Sequence, residues 1–238
     1  MQGLFLNEET QSYANLSSDL ILGINRTEDV DIDSKHQYRT IKLRVNESED
    51  TSRKKYILKY INNNLYITSD LHLNHKNRNS GDFKNQIIDE INSKVPIDGA
   101  VLFLGDLGRK DDTNQREYIT DFVKKLNCSI KILILGNHDI LPIKDYYNMG
   151  FTFVTDVLET KYYVFSHYPI PISKNKINFH GHIHEDIEYW NVNPINHINC
   201  YIKNHNNSIY TLYDYIEFYR QGKYKDNKRV EMPKKKEE

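Results

Sequence analysis

The chain has 238 residues, with 32 Lys and Arg against 33 Asp and Glu and a net charge of −1. This length supports one sizeable core with an addition, and the balanced charge gives no whole-molecule attraction to a long nucleic acid or an anionic membrane. Two cysteines, Cys128 and Cys200, are too few for a disulfide framework and lack C-x-x-C spacing, so both read as buried thiols in a reducing compartment.

Glu8 and Glu9 interrupt the start where a secretory apolar segment would have to continue. No run reaches the ~20 apolar residues of a membrane span. The expectation is therefore a cytoplasmic protein without a membrane partner. Residues 1–62 hold none of the chemistry found later, and Asp19 to Ile24 and Tyr38 to Val45 read as strands around an acidic loop. They predict a small β-rich N-terminal extension, closed by the Asn62-Asn63-Asn64 turn.

From Leu65 strand and helix patterns alternate. Strands are predicted over Leu65 to Ser69, Ala100 to Leu104 and Ile130 to Leu135. Phe83, Ile87, Ile88 and Ile91 recur at helical spacing behind Asp82 as an N-cap, and Tyr118, Ile119, Phe122, Val123 and Leu126 mark a second helix. Further strands follow around Phe151 to Thr155, Tyr162 to Ser166, Ile177 to Phe179 and Ile198 to Ile202. A last helix, about Thr211 to Gln221, stops at Gly222. A βαβαβ half followed by a mostly β half predicts, over residues 63–222, an α/β fold of two packed mixed β-sheets flanked by helices. Residues 223–238 are mostly charged and read as a disordered tail.

Five segments follow strand ends: Asp70-Leu71-His72, Gly105-Asp106, Gly136-Asn137-His138-Asp139, His167 and Gly181-His182-Ile183-His184. Carboxylates, an amide and imidazoles in such numbers match two divalent cations, each of which takes several O and N ligands held by a rigid sheet. If strand geometry persists, Asp70 and His72, two apart, face one side. Gly105 allows a tight turn that brings Asp106 to the ions, where one carboxylate can bridge both. Each piece alone is weak, because turns also favour Asn and Asp and a lone histidine is commonly a packing residue. Their joint occurrence carries the reading.

The order and spacing of these segments resemble the calcineurin-like metallophosphoesterase superfamily, whose pattern runs D-x-H, G-D, G-N-H-D/E, H, G-H-x-H, over roughly Leu65 to Ile202. The stretches TSDLHLNHKN, FSHYPIP and FHGHIH are most similar to a group of small bacterial and phage phosphoesterases. The resemblance implies an α/β/β/α sandwich in which Asp70, His72 and His184 hold one metal, Asn137, His167 and His182 a second, and Asp106 bridges them. It places His138 over the scissile phosphate as proton donor, with Asp139 orienting or tuning its ring. Leu107, Gly108 and Arg109 stand where many members carry a further Asp or Asn.

His75 and Arg109 are candidate phosphate contacts, with Lys76 a weaker one. His180, at strand spacing from His182, is a candidate for support of the ligands or contact with substrate. His36, His197 and His205 read as structural or exposed, Trp190 as packing, and Tyr168, Pro169 and Pro171 as shaping the loop after His167. Mn2+ is the expected cation, with Fe, Zn or Ni as alternatives, since mixed N and O ligands do not choose among them.

Water shared by two cations loses a proton near neutral pH, and in-line attack on phosphorus by that metal-bridging hydroxide develops charge the cations neutralise. His138 can protonate the departing oxygen. The expected substrate is a nucleotide or other small phosphoester, a diester ahead of a monoester. The alternative is a nuclease of the same superfamily, for which no basic, aromatic-interleaved stretch speaks. A non-catalytic protein-binding scaffold would be expected to lose ligands or His138, and none is lost.

Overall fold

The computed structural model describes residues 61, 64–75, 82–184 and 196–220. The expected N-terminal strands, His36, Lys76, Trp190, Gly222 and the 223–238 tail lie outside the described residues. Four parallel strands, β1 (Leu65–Thr68), β2 (Ala100–Phe103), β3 (Ile130–Ile134) and β4 (Phe153–Thr155), form a sheet in the order β4-β3-β2-β1, and β9 (Tyr210–Thr211) adds antiparallel to β1. The second sheet runs β5 (Val157–Glu159), β6 (Tyr163–Ser166), β7 (Ile177–His180) and β8 (His197–Asn199), with only β5–β6 antiparallel. Both sheets are mixed, as expected.

Parallel strands need crossovers, and in the first sheet they are helices. They are α1 (Phe83–Lys94), α2 (Gln115–Lys124) and α3 (Ile143–Met149). Phe83, Ile87 and Ile91 of α1, Ile119 and Phe122 of α2, and Tyr146 and Met149 of α3 cover Val101, Phe103, Leu133 and Val154 on one face of the first sheet. On its other face Leu65, Ile67, Leu102, Ile132 and Phe153 meet Leu158, Phe165, Phe179 and Ile198 of the second sheet. The helix α4 (Leu212–Arg220) adds Leu212, Tyr215 and Ile216 to this layer. Covered on both sides, β2 buries all four residues, which is why its sequence is apolar without alternation.

Among the described residues four elements lie outside the expected set, each of seven residues or fewer: β5, β9, α3 and a 3-10 turn, Ile202–His205, which replaces the end of the strand expected over Ile198 to Ile202. Asp82 occupies the N-cap position of α1 but makes no side-chain cap. Its Oδ1 accepts instead from the Asn85 side-chain amide at 2.7 Å.

Parallel pairing places the carboxyl ends of β1, β2 and β3 together, the usual place for a site in an open α/β sheet. The pairing continues past the strands, with Asp70 N–H donating to Gly105 O (3.0 Å) and His72 N–H to Asp106 O (3.0 Å). Gly181 N–H donates to His167 O (2.9 Å) within the second sheet, and a parallel bridge from Ser69 to Tyr201 joins the two sheets at this end.

Candidate metal centre

The chain leaves strand geometry where the ligands begin. Asp70, His72, Asp106 and His182 have φ of 55°, 44°, 55° and 65°, four of the six described non-glycine residues at positive φ. Left-handed backbone at Asp or His costs energy and gathers at sites where the surroundings over-determine it. Asp70 and His72 thus converge through a turn, not through the strand alternation their spacing implied. Gly105 (φ 89°) is needed twice over: an added Cβ would lie 2.5 Å from His167 Nδ1 and 2.8 Å from Gly136 Cα. At Gly181 an added Cβ would run into the Asp70 carboxylate and lie 2.7 Å from Ser69 Oγ.

Two groups of ligand atoms result, Asp70 with His72 and His184, and Asp106 with His167 and His182, each drawn within 4.8 Å. In the first, His72 Nε2 and His184 Nε2 are 3.3 Å apart, and His184 Nε2 is 3.3 Å from Asp70 Oδ1. In the second, His167 Nε2 lies 3.1 Å from both His182 Nδ1 and Asn137 Oδ1. Asp106 joins them through one oxygen. Its Oδ1 accepts the His138 N–H at 2.8 Å, while Oδ2 faces His72 Nε2 (3.8 Å) and His167 Nε2 (3.4 Å).

Backbone carbonyls fix the tautomers. His167 Nδ1 donates to Leu104 O (2.8 Å) and His72 Nδ1 to Gly108 O (3.3 Å), so each neutral ring turns an Nε2 lone pair inward. The inner surface then consists of acceptors facing acceptors, Asn137 Oδ1 against His167 Nε2 among them. Such a set needs positive charge. Burial opposes charge on His167, but Asp106 prevails and raises the imidazole to about 9. Burial likewise opposes charge on Asp106, and His167 holds it well below the usual carboxylate range. Burial, with Asp106 opposing, lowers His72 to about 4. A divalent cation at each group would satisfy these lone pairs, so the residues present fit such ions.

The sequence model of the calcineurin-like phosphoesterase family matches residues 64–232. The chain belongs to this family. Hydrolysis of phosphoesters with divalent metal is the family's chemistry, and the two ligand groups are where this member would hold the metal. No curated protein matches the chain. Among solved structures, a protein of unknown function from Aquifex aeolicus, AQ665, is similar at 21% identity and TM-score 0.50, over 65% of this chain and 98% of that one. A nuclease, MPE, from Pseudomonas putida is similar at 18% identity and TM-score 0.41, over 51% of this chain and 61% of that one.

Other expected residues take varied places in this phosphoesterase. His138 lies 5.1 Å, ring to ring, from His72, and with His72 and Asp106 it forms a third group within 4.8 Å. Its Nδ1, however, accepts the Lys110 N–H at 3.2 Å, so the neutral ring carries its proton on Nε2 and turns no lone pair to a cation there. Asp139 is fully buried, and its carboxylate accepts the N–H groups of Asp106 (2.7 Å), Gly136 (2.9 Å) and Leu107 (3.2 Å). It braces the turn that presents Asp106.

His75 is half-buried, its ring 6.4 Å from that of His72. Arg109 makes a two-pronged pair with Asp111 within its own loop. His180 is fully buried, its Nδ1 donating to Gly181 O at 2.9 Å, which corrects the expectation of substrate contact: no surface of it meets solvent. His197 and His205 are also buried, hydrogen-bonded to Ile170 O and Asn199 O, hence structural and not exposed.

Two tyrosines steady the histidines of the second sheet. Tyr168 is tilted on His182 at 4.5 Å and edge-on to His167 at 5.0 Å, and Tyr201 stacks on His184 at 4.4 Å and 16°. Tyr201 has no signal in sequence spacing.

Proposed function

We propose that this chain is a binuclear metal-dependent phosphoesterase that hydrolyses a nucleotide or other small phosphoester, a diester ahead of a monoester. The observation that carries the reading is the pair of acceptor-lined groups joined by Asp106 Oδ2, with the Nε2 face of His138 beside them. When bound, the two cations supply an activated water and neutralise charge on the phosphoryl group. Asp70, His72 and His184 would hold one, Asn137, His167 and His182 the other, and Asp106 both.

The protein's own part is positioning and proton transfer. His138 has its main chain fixed by Asp106 Oδ1 and its resting ring by Lys110 N–H; once Nδ1 takes up a proton and releases that contact, the imidazolium passes its Nε2 proton to the departing oxygen and is left neutral. Asp139 holds the Asp106 and Gly136 amides so that the bridging carboxylate and the His138 turn keep one spacing. The Arg109 guanidinium is engaged by Asp111, which leaves less positive charge to offset the second negative charge of a monoester and so favours a monoanionic diester. Free, buried Cys128 and Cys200 suit a reducing, cytoplasmic setting. Mn2+ is the cation proposed.

Purified protein loaded with Mn2+ and offered cyclic nucleotides, linear dinucleotides, monoesters and single-stranded oligonucleotides, against a chelator control, tests the reading. Chelator-sensitive hydrolysis of small diesters is expected. Cleavage confined to oligonucleotides would make the chain a nuclease, and a folded, metal-loaded chain inert on the whole panel would make it a scaffold.

A further inference from the structure

Gln115 opens α2 yet is only 3% exposed. Its Nε2 donates to the His138 carbonyl oxygen at 2.7 Å. The side chain lies along Gly108, where an added Cβ would sit 2.9 Å from Gln115 Cγ and 3.0 Å from its Nε2. The Gly108 carbonyl is the one that orients His72, and two residues on the Lys110 amide meets the His138 ring. Gln115 therefore touches the main chain of His138 on one side and the peptide that aims His72 on the other.

Its other amide atom argues for what this side chain does. Gln115 Oε1 is buried and meets no hydrogen-bond donor among the described residues. An unpaired buried acceptor is unfavourable, and an apolar side chain of similar length would fill the same space without it. What the amide adds is the donor to His138.

We propose that Gln115 is a positioning residue: it holds the His138 main chain so that the ring stays over the reacting phosphate with its proton on Nε2. The proposal rests on His138 being the proton donor. The isosteric Gln115→Met keeps the packing against Gly108 and removes the donor, and Gln115→Glu, run at pH 8, keeps the shape if the methionine variant does not fold.

Two readouts are used. In zinc-loaded protein the His138 imidazole nitrogens, assigned by comparison with His138→Asn, should report a single Nε2-protonated tautomer in the parent and averaged tautomers in the variant. With Mn2+, kcat for an alkyl-leaving-group diester should fall by ~10²-fold, the scale of a small misplacement. KM should change far less, and a p-nitrophenyl diester, whose leaving group needs little protonation, should lose much less activity. Metal content should stay at the parent level. Unchanged ring signals, or equal losses on both esters, would overturn the role of Gln115. If His138→Asn itself shows no leaving-group dependence, the proton-donor reading fails, and the ring signals still decide whether Gln115 holds His138.

Discussion

Removing the Asp139 carboxylate separates two effects that act on one buried group. Asp139→Ala leaves the N–H groups of Asp106, Gly136 and Leu107 without their acceptor. At ~1 to 3 kcal/mol for each orphaned buried donor, the loss is at least ~3 kcal/mol. Against it stands the cost of the charge. Burial, then the nearby Asp106, push Asp139 from 3.8 up to about 6, a rise worth ~3 kcal/mol by the constant of ~1.36 kcal/mol per pH unit. Three donors cost ~3 to ~9 kcal/mol, so metal-free Asp139→Ala should be less stable than the parent by up to ~6 kcal/mol in urea unfolding. Metal affinity should fall as well. With its bracing gone, the Asp106 turn should bind Mn2+ ~10- to ~100-fold more weakly, as for loss of other residues that support ligands. Asp139→Asn keeps one oxygen, which can accept from Asp106 and Gly136 together, and should lose less than tenfold in affinity. Titration of chelator-stripped protein with Mn2+ measures both. Parent-like affinity in Asp139→Ala refutes the bracing argument, and equal losses in the two variants would assign the effect to charge.

Gly181→Ala puts a methyl group into the Asp70 carboxylate and against Ser69 Oγ. It should displace Asp70, dropping bound Mn2+ towards one ion per chain with circular dichroism unchanged. Retention of both ions would show that the Gly181 approach is not required. Burial, with the Asn199 carbonyl opposing, lowers His205 to about 4. An unfolded histidine titrates near 6.5, so between the two values the unfolded chain binds more protons and stability falls as pH drops, by up to ~1.4 kcal/mol per pH unit. His205→Gln should flatten that part of the metal-free stability curve between pH 6.5 and 5, and an unaltered slope would contradict the burial argument.

What could be read in advance follows from which physical signals a sequence carries. The runs Leu65 to Ser69, Ala100 to Leu104 and Ile130 to Leu135 announce β1, β2 and β3 because parallel strands covered on both faces are mostly apolar, without alternation. α3 has only seven residues, with Tyr146 and Met149 as its inner face, too short for a helical period. β9 has only two residues and is held by pairing with β1. The candidate ligands were legible because metal chemistry restricts them to a few side-chain types at strand ends. Their supports were not. Left-handed φ at Asp70 and Asp106 has no glycine to betray it, Tyr201 reaches His184 only through the fold, and Gln115 and Asp139 act on main-chain groups whose positions spacing does not reveal.

The shared carboxylate is the centre of the account, because one Asp106 oxygen faces a histidine of each group. Elemental analysis of protein purified without chelator and then equilibrated with Mn2+ tests it directly, in the parent and in Asp106→Ala. The account predicts two ions per chain in the parent and depletion of both sites in the variant. A parent that takes up one ion or none, or a variant that keeps one site at full occupancy, would contradict it.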